Sequence, residues 1–251
     1  TRKLWTWLAV ICVLSFAALG WVGTEIYVSA PPIPKAVVSS TGDTLFAEGS
    51  VQRGQEAWLA AGGQQLGSVW GHGSYLAPDW SADWLHREAV ALREIRAQQR
   101  HGTAYANLQA GQQAALDAEL KAEMRRNTHD AATNVITLSA ERAEAVRAVA
   151  RHYADLFGDE ATLAGLREQY AMLPGTLKLA EDREALAAFF FWSAWSAATD
   201  RPGETGLSYT SNWPHEPLVG NTPTAGTGIW SIASIILMIG AIAAMIFFHS
   251  R

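Results

Sequence analysis

Cysteine is all but absent: the 251 residues hold one, Cys12, inside an uninterrupted apolar run. A lone thiol closes no internal disulfide, forms no CxxC pair and offers no c-type haem attachment motif. A basic excess is missing as well. The 24 Asp and Glu outnumber the 19 Lys and Arg, giving a formal net charge of -5 and no basic patch for nucleic acid. There is no low-complexity run, no phosphate-binding glycine fingerprint after a strand, no Ser/His/Asp arrangement and no carboxylate pair in a catalytic setting. Seven histidines are present, at His72, His86, His101, His129, His152, His215 and His249. None forms an HxxxH or HxxE pair that would place two ligands on one helix face, so each reads as a solvated or hydrogen-bonded side chain.

Charge is missing from two long stretches, and these organise the chain. Leu4 to Gly23 holds no charged residue, and neither does Ile229 to Phe248. About 20 helical residues at roughly 1.5 Å each match the ~30 Å hydrocarbon core of a bilayer. A cleaved signal peptide competes for the first run, because Arg2 and Lys3 precede it. The run continues through Trp21 and Val22 without an evident small-residue cleavage site, which favours an uncleaved anchor. Arg2 and Lys3 before the first helix, with His249 and Arg251 after the second, put both outer ends in the cytoplasm and the middle outside, periplasmic in a bacterium or extracellular in a single-membrane one. Glu25, at the outer margin of the first span, reads as a solvated flank rather than a working intramembrane group.

Pro31, Pro32 and Pro34 end the first helix, and Thr41-Gly42-Asp43 reads as a turn. Helical spacing covers Ser50 to Ala61, with Ser50 as a possible cap, and a glycine-rich aromatic loop runs from Gly62 to Asp79. Helices follow from Ser81 to the punctuating Gly102, over Gln109 to Met124, from a Ser139 cap to Phe157, over Glu160 to Tyr170, and over Ala180 to Ala198. The strand candidate is Asn134 to Leu138. Phe189, Phe190, Phe191, Trp192 and Trp195 can stack on a flat cofactor, but on a helix they more often fill a core. In the segment before the second span, Tyr209 and Trp213 fit either an interfacial aromatic belt or a loop packed on the domain, and Trp230 is the better membrane anchor. The expected domains are a transmembrane helix over 1–28, an outer domain over 29–200, a linker over 201–228 and a second transmembrane helix over 229–251.

The loop Trp70-Gly-His-Gly-Ser-Tyr-Leu-Ala-Pro-Asp79, followed by Trp80 and Trp84, resembles a segment of the bacterial nitric oxide reductases. Arg53-Gly-Gln-Glu-Ala-Trp58, Phe190-Phe-Trp-Ser-Ala-Trp195, Ser208-Tyr-Thr-Ser-Asn-Trp-Pro-His-Glu-Pro217 and Gly220-Asn-Thr-Pro-Thr224 agree with it. Together, across essentially the whole chain, they resemble the single-chain, quinol-dependent form. In two-subunit relatives an anchored cytochrome c carries a CxxCH motif just before this loop. Here Gly63, Gln64, Gln65, Leu66 and Gly67 fill that slot, and Leu173-Pro174, with Met172 beside it, stands where a Met-Pro step would supply the distal ligand. Glu181 to Trp192 still resembles the last helix of a cytochrome c. The resemblance thus implies a mainly α chain in which two transmembrane helices flank a cytochrome c-like, haem-free extracytoplasmic domain.

It further implies an N-terminal, structural part of an enzyme that reduces two nitric oxide molecules to nitrous oxide and water with quinol electrons. The domain would cap the outer face of the catalytic bundle, and Ile229 to Phe248 would match that bundle's first helix. Haem b, haem b3 and a non-haem iron would be ligated outside these residues, so no catalytic residue is carried onto this chain. By position, the Gly73 carbonyl and Tyr75 would contribute to a calcium site near haem propionates. Membrane lipid, quinol and the remaining catalytic domain are the implied partners; a homodimer is the default closed assembly, and the small residues Gly240, Ala243 and Ala244 can make that contact or equally pack against neighbouring helices of the same chain. The rivals are a two-helix receptor with an outer sensing domain and a structural assembly factor.

Overall fold

A computed structural model describes residues 2–71 and 73–250. His72 and Arg251, both invoked above, lie outside the described residues. The chain divides into two units, residues 1–32 and residues 33–251. The first consists of α1 (Arg2–Val28), which buries no side chain and stops ahead of the three prolines. At the other end of the sequence, α8 (Ala225–His249) also has no buried side chain among its described residues. Both helices are long and apolar enough to cross a membrane.

The second unit is built on α2 (Ser50–Ala60), α3 (Trp80–His101), α4 (Ala110–Arg125), α5 (Ala140–Phe157), α6 (Ala164–Gln169) and α7 (Ala180–Ala198). Local chemistry sets their ends. Asp79 accepts the Ala82 amide at 3.0 Å to start α3, and Gly102 closes it in the left-handed region at φ 67°. Ser139 accepts the Arg142 amide at 3.1 Å to start α5. Glu181 and Asp182 occupy the first turn of α7, where the helix dipole favours acids.

Helix α7 is the hub, packed against α2, α3 and α5. Where it meets α2 the backbones nearly touch: a Cβ added at Gly54 would lie 2.0 Å from the Ala185 carbonyl oxygen, so only glycine fits. Elsewhere rings fill the space. Trp80 stacks on Phe190 at 5.5 Å, Trp84 stacks on Tyr153 at 5.2 Å, and Phe157 meets Trp80 edge-on at 5.4 Å. Phe189, Phe190, Phe191, Trp192 and Trp195 are all buried, in agreement with core packing.

Three expectations need correction. Among the described residues the expected strand is one of four. β1 (Ala36–Ser39), β2 (Thr44–Phe46), β3 (His129–Asp130) and β4 (Val135–Leu138) form a sheet in the order β2-β1-β4-β3. β1 runs parallel to β4 and pairs Val37 with Ile136, while both outer pairs are antiparallel. Strands this short carry almost no alternation, and a parallel pairing between distant segments leaves no local signature. Ser50 does not cap α2: Gly49 does, turning at φ 80° without a side-chain bond, and Ser50 is the first helical residue. The helix expected over Glu160 to Tyr170 is split into a 3-10 turn, Ala161–Leu163, and α6.

Candidate functional site

The aromatic loop is organised by the carboxylate of Asp79. While one oxygen caps α3, the other accepts Ser68 Oγ at 2.6 Å and the Gly71 amide at 2.7 Å, and Ser68 Oγ in turn accepts the Gly73 amide at 2.7 Å. Gly73 sits at φ 84°, and a Cβ there would crowd the Ala77 carbonyl oxygen at 3.1 Å. The chain then reverses over Ser74 to Ala77, joined by the Ser74 amide to the Ala77 carbonyl at 3.0 Å. This turn thrusts Tyr75 out: its ring is fully exposed, and Leu76 beside it is largely so. The base of the loop is bolted to the core, since Trp70 donates its indole N–H to the Ser193 carbonyl at 2.8 Å and packs on Trp192 at 5.2 Å.

The slot residues lie next to this tip. Gly63, Gln64 and Gln65 form a 3-10 turn, Leu66 closes it, and the Gly67 carbonyl accepts the Trp58 indole N–H at 3.2 Å. Gln64, Gln65 and Leu66 share a surface cleft of about 460 Å³ with Ser74, Tyr75 and Leu76, and Tyr170 and Ala171 complete it. Met172 is buried just beyond, whereas Leu173 is exposed. The fold thus brings three slot residues, Gln64, Gln65 and Leu66, to one cleft with Tyr75, although the sequence treats them as separate features.

The segment between α7 and α8 is packed on the domain, which decides between the two alternatives for Tyr209 and Trp213. Tyr209 lies against Trp195 at 5.4 Å, and the Trp213 indole N–H reaches the Gly71 carbonyl at 3.2 Å. Trp230 is exposed on α8. Two buried asparagines hold this segment. Asn212 accepts from the Ser208 amide and from Arg125, and donates to the Gly206 and Thr222 carbonyls at 2.7 and 2.8 Å. Asn221 accepts the Glu216 amide at 2.7 Å and donates to the Ala197 and Pro214 carbonyls at 3.0 and 2.7 Å. Each satisfies donors and acceptors that a loop would otherwise bury unpaired. Sequence reasoning gave these residues, and Ser68 and Asp79, no role; the visible signal was their place among Gly and aromatic residues in turn-rich strings.

The histidines mostly have partners. His86 lies 3.0 Å from Glu216, His129 lies 2.8 Å from Asn134, His215 lies 3.1 Å from the Asn221 carbonyl, and His101 lies 3.4 Å from Gln112. His152 keeps Nε2 without a hydrogen-bond partner among the described residues, and burial, then the charge of Arg87, holds its pKa below the ordinary value. Tyr153 donates its hydroxyl to Asp83 at 2.6 Å, and burial foremost pushes its pKa well up.

Neither a covalent haem nor a calcium ion fits these residues unaided. A covalent haem needs thioether cysteines, and the one thiol lies in α1, away from the slot in sequence. Rings occupy the interior where α3, α5 and α7 meet. Calcium takes six to eight oxygens. Here the nearby carboxylate, Asp79, is committed to Ser68, Gly71 and Ala82, and among the described residues no three His, Cys, Asp or Glu gather. Gly73 and Tyr75 can offer at most one side of such a site.

Compared with known families, residues 34–215 match the model of the cytochrome c-like domain of NorB, a nitric oxide reductase component. No curated protein matches the chain.

Proposed function

The chain belongs to the family of the NorB cytochrome c-like domain of nitric oxide reductase, and from that premise we propose that it is the membrane-anchored, haem-free cap of a quinol-dependent nitric oxide reductase. The observation that carries this proposal is the pairing of a cytochrome c-like fold with a slot that holds Gly63, Gln64, Gln65, Leu66 and Gly67 instead of haem-attaching residues. A domain that cannot hold covalent haem cannot relay electrons from a soluble cytochrome. Electrons then enter the membrane part directly, and a membrane-soluble quinol is the donor suited to that route.

In this reading the domain is structural and faces the periplasm, held by α1 and α8 in the bacterial inner membrane. Haem b, haem b3 and a non-haem iron, all ligated outside these residues, would supply the redox chemistry by which two nitric oxide molecules, two electrons and two protons give nitrous oxide and water. The chain's own contribution is a rigid outer surface. Asp79 fixes the aromatic loop, Asn212 and Asn221 fix the lead-in to α8, and the Trp213 bond to Gly71 joins the two. The exposed Tyr75 and Leu76 tip is the part free to meet the catalytic bundle, and the Gly73 carbonyl and Tyr75 would offer oxygens to a calcium ion only if that bundle supplied the rest. The family match favours this over a receptor module.

The test is to purify the protein from its membranes and measure nitric oxide consumption with a reduced quinol and, separately, with reduced cytochrome c. Turnover with quinol alone is expected. Turnover sustained by the cytochrome and not by quinol overturns the proposal.

A further inference from the structure

A second cleft, of about 310 Å³, lies where the end of α4 meets β4 and the first turn of α5. Arg96, Arg126, Arg142, Thr128, Glu119 and Glu123 are in its wall. Arg96 and Arg142 are among the most deeply buried charged residues of the chain. Their carboxylate partners are already engaged. Glu88 takes the Trp84 indole N–H at 2.8 Å and Arg142 Nε at 2.7 Å, and Glu123 takes Ser139 Oγ at 2.6 Å together with Arg96. Glu141 takes Arg96 Nε at 2.7 Å and Arg100 at 3.0 Å. Yet Arg96 Nη1, Arg142 Nη2 and Thr128 Oγ1 are buried with no hydrogen-bond partner among the described residues. Exposed Arg126 makes no ion pair among the described residues.

The imbalance has a sign. Two orphaned guanidinium nitrogens can only donate, and the threonine hydroxyl can donate as well. An orphaned buried donor is costly, so three on residues of one wall point to an acceptor-rich occupant. Arg126, the wall arginine with no carboxylate partner among the described residues, and the amino end of α5 favour a negative one. The donors come from α3, α5 and the segment before β3, and a tetrahedral oxyanion presents acceptors to all three directions where a planar carboxylate does not.

We propose that this cleft binds a phosphate-type oxyanion, held by Arg96, Arg142, Thr128 and Arg126. Inorganic phosphate is titrated into the full chain in detergent at constant ionic strength, with acetate as the control, and binding is read by calorimetry. The expected result is saturable phosphate binding, at least roughly tenfold weaker in Arg126→Ala/Thr128→Val and weakened in the exposed Arg126→Ala alone, with helicity unchanged by circular dichroism. The titration is repeated in nanodiscs of phosphatidylglycerol and of phosphatidylcholine. Loss of phosphate binding only in phosphatidylglycerol identifies a lipid headgroup as the source, and binding retained in both identifies free phosphate. Absence of saturable binding, acetate binding as tight as phosphate, or affinity unchanged in both variants overturns the proposal.

Discussion

Helix α8 and the body of α7 from Ala185 onward are both apolar on every side, and they end in opposite surroundings. Every residue of α7 from Ala185 to Ala198 is buried by neighbouring helices, whereas no described side chain of α8 is buried. What separates them is the length of the uncharged run. α7 opens with Glu181, Asp182, Arg183 and Glu184, leaving an apolar stretch of roughly 21 Å at 1.5 Å per residue, too short for a bilayer core of about 30 Å. The apolar span within α8 runs 22 residues, from Gly228 to His249. Apolarity says that a helix must be covered; length says by what.

That contrast can be broken most forcefully by truncating one apolar side chain on each helix. Phe190→Ala removes a side chain touching Trp80, Tyr153 and Phe157, and is expected to cost about 3–5 kcal/mol in chemical unfolding followed by near-ultraviolet circular dichroism. Ile236→Ala on α8 should leave that transition within about 0.5 kcal/mol. Equal losses would mean that α8 is part of the domain core.

Glycine gives the second contrast. Gly54→Ala forces a methyl into the Ala185 carbonyl of α7 and should cost about 3 kcal/mol, the upper end of overpacking effects. Gly240 has nothing within 4 Å of an added Cβ, so Gly240→Ala should not move the domain's unfolding midpoint. If two copies meet through Gly240, Ala243 and Ala244, the same variant weakens the dimer in analytical ultracentrifugation.

A smaller effect sharpens the joint between the two helices. Asn221 caps the Ala197 carbonyl at the end of α7 on the way to α8, and Asn221→Ala leaves that carbonyl and the Glu216 amide unpaired. A loss of about 1–3 kcal/mol is expected, with faster amide exchange over 206–222 as the local signature.

The smallest effect is a pH slope. Burial and Arg87 keep the His152 pKa in the folded protein below the unfolded value near 6.5. The folded state stays neutral where the unfolded chain takes up a proton. Stability from this source is therefore complete above about pH 6.5 and is lost as pH falls through the folded pKa. In His152→Gln the dependence on pH below 6.5 should flatten, and a slope unchanged from the parent would remove His152 as its origin.

Much of this architecture was legible because its causes are local. The two spans follow from runs without charge, α5 from its Ser139 cap, the end of α3 from Gly102, and α7 from the Pro174-Gly175 break ahead of it. The sheet was not legible, because Val37 and Ile136 pair across a hundred residues of intervening chain. The Glu88–Arg142 pair was hidden for the same reason, joining α3 to α5 through two helices that each look amphipathic alone. At the candidate site, the slot residues and the Gly73–Tyr75 loop were visible one by one. Their common cleft was not, since it depends on the Asp79 carboxylate folding the loop back and on Tyr170 arriving from a distant turn.

A haem-free cap is tested most directly by the alkaline pyridine haemochrome spectrum of the chain purified from cells competent in c-type cytochrome maturation, recorded after acid-acetone extraction of non-covalent haem. No haem c band is expected to remain on a folded, helical protein. A haem c band that survives extraction and co-migrates with this polypeptide would contradict it.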